Sequence, residues 1–161
     1  MNVKKMTRLA LIISVAMVLS YVESLIPAFV AIPGIKIGLS NIATVFALYT
    51  IGVPSAIAVS LIRVFLSSLL FGTAASLIYS LAGAVCALGV MILFKKMGAF
   101  SEIGVSVIGA VMHNVGQVAA AAALMRASAI YYYIAPLLLA GILAGIAVGV
   151  ASGILIKRLH V

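Results

Sequence analysis

An all-α membrane protein, folded as a bundle of six transmembrane helices, is the fold class this sequence predicts, and three observations carry it. Of 161 residues, 66% are hydrophobic and only 7% charged, with a mean hydropathy of +1.42; a soluble domain carries roughly 25% charged residues. Polar or helix-breaking residues divide the chain into six apolar runs, most of them close to the ~20 residues that cross a bilayer. The basic residues sit mainly at the ends of those runs, where orientation signals belong. Six spans and short connections use nearly the whole length, so residues 1–161 read as a single integral membrane domain with no room for a soluble catalytic one.

The first segment covers about residues 7–26. It begins like a signal peptide, with Lys4, Lys5 and Arg8 ahead of the run Leu9–Leu19. No clean small-x-small cleavage site follows, and the rest of the chain is equally apolar, so a retained first helix is expected. Pro27 stops it, and a loop with Pro33, Gly34 and Lys36 follows. The second segment, about 37–51, is short for a span and is closed by Gly52 and Pro54. The third, about 54–71, has Pro54 in its first turn, where a missing N–H costs little. The fourth, about 73–94, ends at Lys95 and Lys96. The fifth is about 101–124 and the sixth about 129–156.

Loop charges give the orientation. With the N-terminus inside, seven basic residues lie on the inner side (Lys4, Lys5, Arg8, Lys95, Lys96, Lys157, Arg158) and two, Lys36 and Arg126, on the outer side. The positive-inside rule then puts both termini in the cytoplasm and the protein in the cell's inner membrane. Tyr131, Tyr132 and Tyr133 fall at the outer interface, where amphipathic rings settle. The net charge of +8 therefore reflects membrane orientation. No basic stripe on a polar face is present, so nucleic acid is not an expected partner and membrane lipids are.

Small residues mark where helices approach closely. Gly141, Gly145, Gly149 and Gly153 recur every four residues along the sixth segment, and Ala10/Ser14 and Ala16/Ser20 repeat that spacing in the first. Such ridges let another backbone come near.

The polar residues inside the apolar runs carry the functional information. A mid-membrane Arg costs between ~3 and over ~10 kcal/mol unless it finds a partner or water, and Arg63 lies near the middle of the third segment between Ile62 and Val64. His113, Asn114 and Gln117 lie near the middle of the fifth at spacings of three and four, on one helix face. Glu23 is a turn below the outer end of the first segment, and Lys36, Ser40 and Asn41 open the second. Two readings stay open. In one, Arg63 pairs with Glu23 or a backbone carbonyl and the amides tie helices together. In the other, Glu23, Lys36, Asn41, Arg63, His113, Asn114 and Gln117 line a ligand pocket open to the outside. Its cations would favour an anionic or carbonyl-rich head, and apolar walls would hold the rest of the ligand.

Several chemistries lack the residues they need. Cys86 is a lone thiol in an apolar segment, so neither a disulfide framework nor a metal cluster is expected. His113 has no second histidine near it, since His160 is in the tail. With no Asp and two Glu in the chain, no acid–base pair assembles for nucleophilic catalysis. The glycines lie inside helices rather than in a phosphate-cradling loop. A non-enzymatic protein without a cofactor or metal is expected.

Five stretches in order resemble a known family: Ser20-Tyr-Val-Glu-Ser-Leu-Ile-Pro27, Lys36-Ile-Gly-Leu-Ser-Asn41, Arg63-Val-Phe-Leu-Ser-Ser-Leu-Leu-Phe-Gly-Thr73, Tyr79-Ser-Leu-Ala-Gly83 and His113-Asn-Val-Gly-Gln117. They look like the Gx transporter family, also labelled heptaprenyl diphosphate synthase component I, and the resemblance covers nearly the whole chain. It implies a fold similar to the S components of energy-coupling factor importers, six-helix proteins that capture vitamin-like molecules from outside. In those proteins small residues of the first helix dock a coupling subunit that works with ATPases, a role that would fall here to Ala10, Ser14, Ala16 and Ser20. Prenyl diphosphate synthases resemble one another in aspartate-rich motifs that hold magnesium on a diphosphate, and a chain without Asp supplies no such site. Two classes of function follow. One is the substrate-binding membrane component of a transport system for a vitamin-like or isoprenoid- or quinone-related molecule. The other is a non-catalytic membrane subunit that binds an isoprenoid lipid or quinone, or anchors a redox or prenyl-biosynthesis complex.

Overall fold

The computed structural model describes residues 3–25, 37–125, 132 and 134–159. Among these it contains six helices: α1 (Val3–Leu25), α2 (Asn41–Thr50), α3 (Val53–Phe71), α4 (Ala74–Met97), α5 (Glu102–Met125) and α6 (Ile134–Arg158). Five of them, all but α2, are long and apolar enough to cross a bilayer. The molecule is a multi-pass membrane protein.

Local chemistry sets the helix ends. Thr73 caps α4: its hydroxyl accepts from the Ser76 N–H at 3.1 Å while the Ser76 hydroxyl accepts from the Thr73 N–H at 2.8 Å, a reciprocal capping box. Gly98, at φ 69°, ends α4 in the left-handed conformation that glycine adopts without penalty. Lys95 and Lys96 therefore belong to the last turn of α4, beyond the expected end at 94, where their charge suits the negative end of the helix dipole. α1 likewise begins earlier than expected and takes Lys4 and Lys5 into its first turn. Pro136 is tolerated in the first turn of α6, whose amides lack intrahelical partners in any case.

The largest departure from expectation is α2. It starts at Asn41 rather than 37, because Gly38 at φ 77° turns the chain ahead of it. Ten residues rise about 15 Å, half of the ~30 Å hydrocarbon core. This half-length helix is the most enclosed element, with Ala43, Thr44, Val45, Ala47 and Leu48 all buried, and it touches α1, α3, α5 and α6.

Around α2 the long helices form two groups. α5 lies between α4 and α6 in a tightly packed layer, while α1 and α3 lie against each other and against α2, with α3 also reaching α4. The apolar core gathers on α2: Leu48 and Val45 with Val59 of α3, Val105 of α5, Val148 of α6 and Ala16 of α1. Large apolar side chains such as Leu11, Leu69, Val85, Leu139 and Leu143 point outward, as a lipid-facing surface requires.

The glycine ridge on α6 faces α5. A Cβ added at Gly145 would lie 2.6 Å from the Val107 Cα, and one at Gly149 2.7 Å from the Ile103 Cα. Gly141 faces the Asn114 amide, 2.7 Å from its would-be Cβ. Gly153 departs from the expectation: nothing lies within 4 Å of the same position, so the ridge ends one step earlier than the sequence repeat. Ala16 and Ser20 are buried, at 0% and 8% exposure, so they pack within the bundle and are not free to dock a partner. Ala10 and Ser14 lie on an exposed face of α1. Tyr132 is exposed; Tyr131, Tyr133 and Lys36 lie outside the described residues.

Candidate functional site

Four helices deliver polar side chains to one place. On α3, Arg63 sits one residue past the centre of the helix, with Ser60 and Ser67 three before and four after it on the same face. The start of α2 contributes Ser40 and Asn41. α5 contributes His113, Asn114 and Gln117 from its middle, and α1 contributes Glu23 from near its end.

The guanidinium is the hub. Its Nη1 donates to the Ser40 Oγ at 2.6 Å and its Nη2 to the Asn41 Oδ1 at 3.2 Å. Its Nε is buried and has no hydrogen-bond partner among the described residues. Glu23 acts on Arg63 electrostatically, and its Oε1 accepts the Gly38 N–H at 2.5 Å. This last bond holds the left-handed turn at Gly38 and so fixes where α2 begins. Arg63 thus bonds a hydroxyl and an amide at the head of α2, beside the Glu23 named with a backbone carbonyl in the packing reading.

On α5, Asn114 donates to the Leu137 carbonyl of α6 at 2.6 Å. This amide does tie two helices together. Gly83 of α4 brings that helix onto the polar face of α5: a Cβ there would meet the His113 carbonyl oxygen at 2.7 Å and the Gln117 Cγ at 2.9 Å.

Between these groups lies a cavity of about 70 Å³. Glu23, Asn41, Arg63, His113, Asn114 and Gln117, six of the seven residues singled out from the sequence, all line it. Its polar wall also includes Ser40, Thr44, Ser60, Ser67, Ser80 and Ser106, and its apolar wall includes Val45, Val64, Leu88, Met91 and Val148. The serines were not anticipated as site residues. Ser60 and Ser67 carried a usable signal in their spacing around Arg63, whereas Ser80 and Ser106 look from sequence like ordinary small packing residues. Among the described residues no group of three His, Cys, Asp or Glu side chains is arranged to hold a metal ion.

Chemically, the cavity presents polar groups from four helices. It offers a guanidinium, amides and hydroxyls, all suited to an oxygen-rich group. The sequence model of one protein family, described as heptaprenyl diphosphate synthase component I, matches residues 12–155. Neither the curated proteins nor the solved structures include a match.

Proposed function

The chain belongs to the heptaprenyl diphosphate synthase component I family, and from that premise we propose that it is a ligand-binding, non-catalytic membrane component of a multi-part system. The observation that carries this reading is the convergence of Arg63, Asn41, Glu23, His113, Asn114 and Gln117 on one cavity. A buried cation and several amides contributed by separate helices are costly to keep in a membrane. Packing alone accounts for Asn114, which bridges α5 and α6. It does not by itself call for a cavity lined by the Arg63 guanidinium and by polar side chains of three further helices.

In the proposed action, Arg63 holds the anionic or carbonyl-rich head of a small molecule that enters from the outer side. Asn114 and Gln117 orient it, and His113 adds a hydrogen-bonding group. The protein then passes the ligand on by docking a coupling membrane subunit that works with ATPases, as an S component does, through the exposed Ala10/Ser14 face of α1. Both termini lie in the cytoplasm and the membrane is the cell's inner one. Reporter fusions at Ala99 and Val161 are then expected to read cytoplasmic and a fusion after Arg126 external; a cytoplasmic signal after Arg126 would overturn the topology.

The family description favours a second reading, because a component I implies another component. There the chain is the membrane subunit that holds an isoprenoid lipid or quinone for a catalytic partner. The absence of Asp from the chain assigns any aspartate-rich magnesium site to that partner. Co-purification with an ATPase pair and its coupling protein supports transport; prenyl lipid or quinone in organic extracts of the purified protein supports the second reading. Arg63→Met tests what both share, since it keeps the apolar stem and removes the charge. It is expected to fold and to lose at least tenfold in ligand affinity, read by native mass spectrometry. Retention of ligand at wild-type affinity would return these residues to a packing role.

A further inference from the structure

The cavity at Arg63 is small for a whole ligand. Its volume of about 70 Å³ takes a carboxylate or a phosphate group, whereas pockets that enclose a drug-sized molecule run to ~300–1,000 Å³. The remainder of any larger ligand has to lie elsewhere.

Adjoining space exists on the far side of Asn114. A groove of about 480 Å³ runs between α5 and α6, lined by Val115, Val118, Ala119, Ala122, Leu137 and Leu138. Apart from Asn114 its lining is entirely apolar. Asn114 belongs to both spaces. Its amide donates to the Leu137 carbonyl at 2.6 Å, at the place where the polar and apolar spaces adjoin. Gly141 leaves room for that amide, since a Cβ there would lie 2.7 Å from the Asn114 Nδ2.

The two chambers differ in the chemistry they accept. The polar one is lined by the Arg63 guanidinium, and α2 begins there, so the positive end of its dipole adds to the charge. The Glu23 carboxylate is engaged by the Gly38 N–H. Among the described residues the apolar chamber is lined by one polar side chain, Asn114.

Resting on the reading of the Arg63 cavity as a ligand site, we infer that the ligand is a single-chain amphiphile. Its carboxylate or phosphate head sits against Arg63, and its apolar chain passes Asn114 to lie in the α5–α6 groove. Chain length and head charge both contribute to affinity, because each part of the molecule has its own chamber.

Dodecyl phosphate, dodecanoate, butyl phosphate and dodecyltrimethylammonium are suitable probes, titrated into the full chain in phosphatidylcholine nanodiscs with occupancy read by native mass spectrometry. The two long-chain anions are expected to bind at least tenfold more tightly than either butyl phosphate or the long-chain cation. The difference between phosphate and carboxylate identifies the preferred head. Ala122→Phe fills the groove and is expected to abolish the advantage of the long chain while leaving butyl phosphate affinity unchanged. Equal binding of dodecyl and butyl phosphates, or an undiminished chain-length effect in Ala122→Phe, would overturn the amphiphile proposal and leave the cavity reading standing. Equal binding of the long-chain anion and cation would overturn it too, by marking the groove as a place for any lipid chain. Undiminished butyl phosphate binding by folded Arg63→Met would remove the cavity reading itself. The anion-over-cation comparison uses the unaltered protein, so the proposal stays exposed even if Arg63→Met fails to fold.

Discussion

The two sides of this bundle are built by different rules. In the α4–α5–α6 layer, glycines let backbones approach: Gly83 and Gly116 between α4 and α5, Gly145 and Gly149 between α6 and α5. Without water in the membrane, such close approach is the main source of attraction between helices. The α1–α3 side has no comparable glycine seam among the described residues. α1 buries only Ala16 and Ser20 of its 23 residues, and polar contacts (Arg63 to Ser40 and Asn41, Glu23 to Gly38) link this side to α2. The cavity lies between a rigid wall and a more weakly attached one. Binding energy from a ligand that touches both walls has more effect on the weaker side, the side that carries the free face of α1.

The comparison is broken most directly at the glycine seam. Gly145→Leu and Gly149→Leu drive a side chain into the backbone of Val107 or Ile103, which no rotamer change relieves. A loss of about 3 kcal/mol is expected, seen as a fall of roughly 6–12 °C in detergent thermal unfolding. Gly153→Leu, in open space, is the control and is expected within ~0.5 kcal/mol of wild type. Equal losses at Gly145 and Gly153 would mean that the seam does not hold this layer.

A smaller effect is expected at a cation that links the tight layer to α2. Lys95 of α4 donates to the Leu48 carbonyl at 2.5 Å and lies 4.9 Å from the centre of the Tyr49 ring. Lys95→Met keeps the stem and removes both interactions, for a loss of about 1–2 kcal/mol, or a few degrees in the same unfolding assay. No change would show that α2 is held by apolar contacts alone.

The smallest stability change belongs to the exposed face of α1. Ala10→Leu and Ser14→Leu are expected to alter unfolding by less than ~0.5 kcal/mol and yet to weaken co-purification with a coupling subunit. Ala16→Leu, by contrast, forces bulk into a fully buried position and is expected to cost about 1–3 kcal/mol. Unaltered co-purification in the first two variants would remove the docking role from this face.

What was legible in the sequence follows from cost. A guanidinium at the centre of an apolar run and three polar groups on one face of another are expensive in lipid, so the sequence marks them as residues in need of partners. Glycine spacing showed a ridge, but not where the ridge ends, because the end depends on the length of the neighbouring helix. The paired small residues of α1 divide between two faces for a related reason. A spacing of four defines a face, yet Ala10/Ser14 and Ala16/Ser20 are six residues apart, about 120° around a helix turning 100° per residue. One pair faces the bundle and the other faces out. The half-length of α2 was hidden because Ile37 and Leu39 extend its apolar pattern, while the turn that shortens it depends on a glycine dihedral and a hydrogen bond from another helix.

That half-length has an electrical consequence. Lys95, at the foot of α4, holds the lower end of α2 near one membrane face, and ten residues later in space the other end meets Arg63. The guanidinium therefore sits about midway through the hydrocarbon, and Arg63 lies midway along α3 as well. In the proposed orientation, an anion arriving from outside crosses about half of the transmembrane voltage to reach it. Moving one charge through 100 mV is worth ~2.3 kcal/mol, so an inside-negative potential of that size weakens binding by about 1.2 kcal/mol, roughly sevenfold. Occupancy in liposomes should fall when a potassium diffusion potential makes the interior negative and recover when it collapses, which would make an energised membrane the state that releases the ligand most readily.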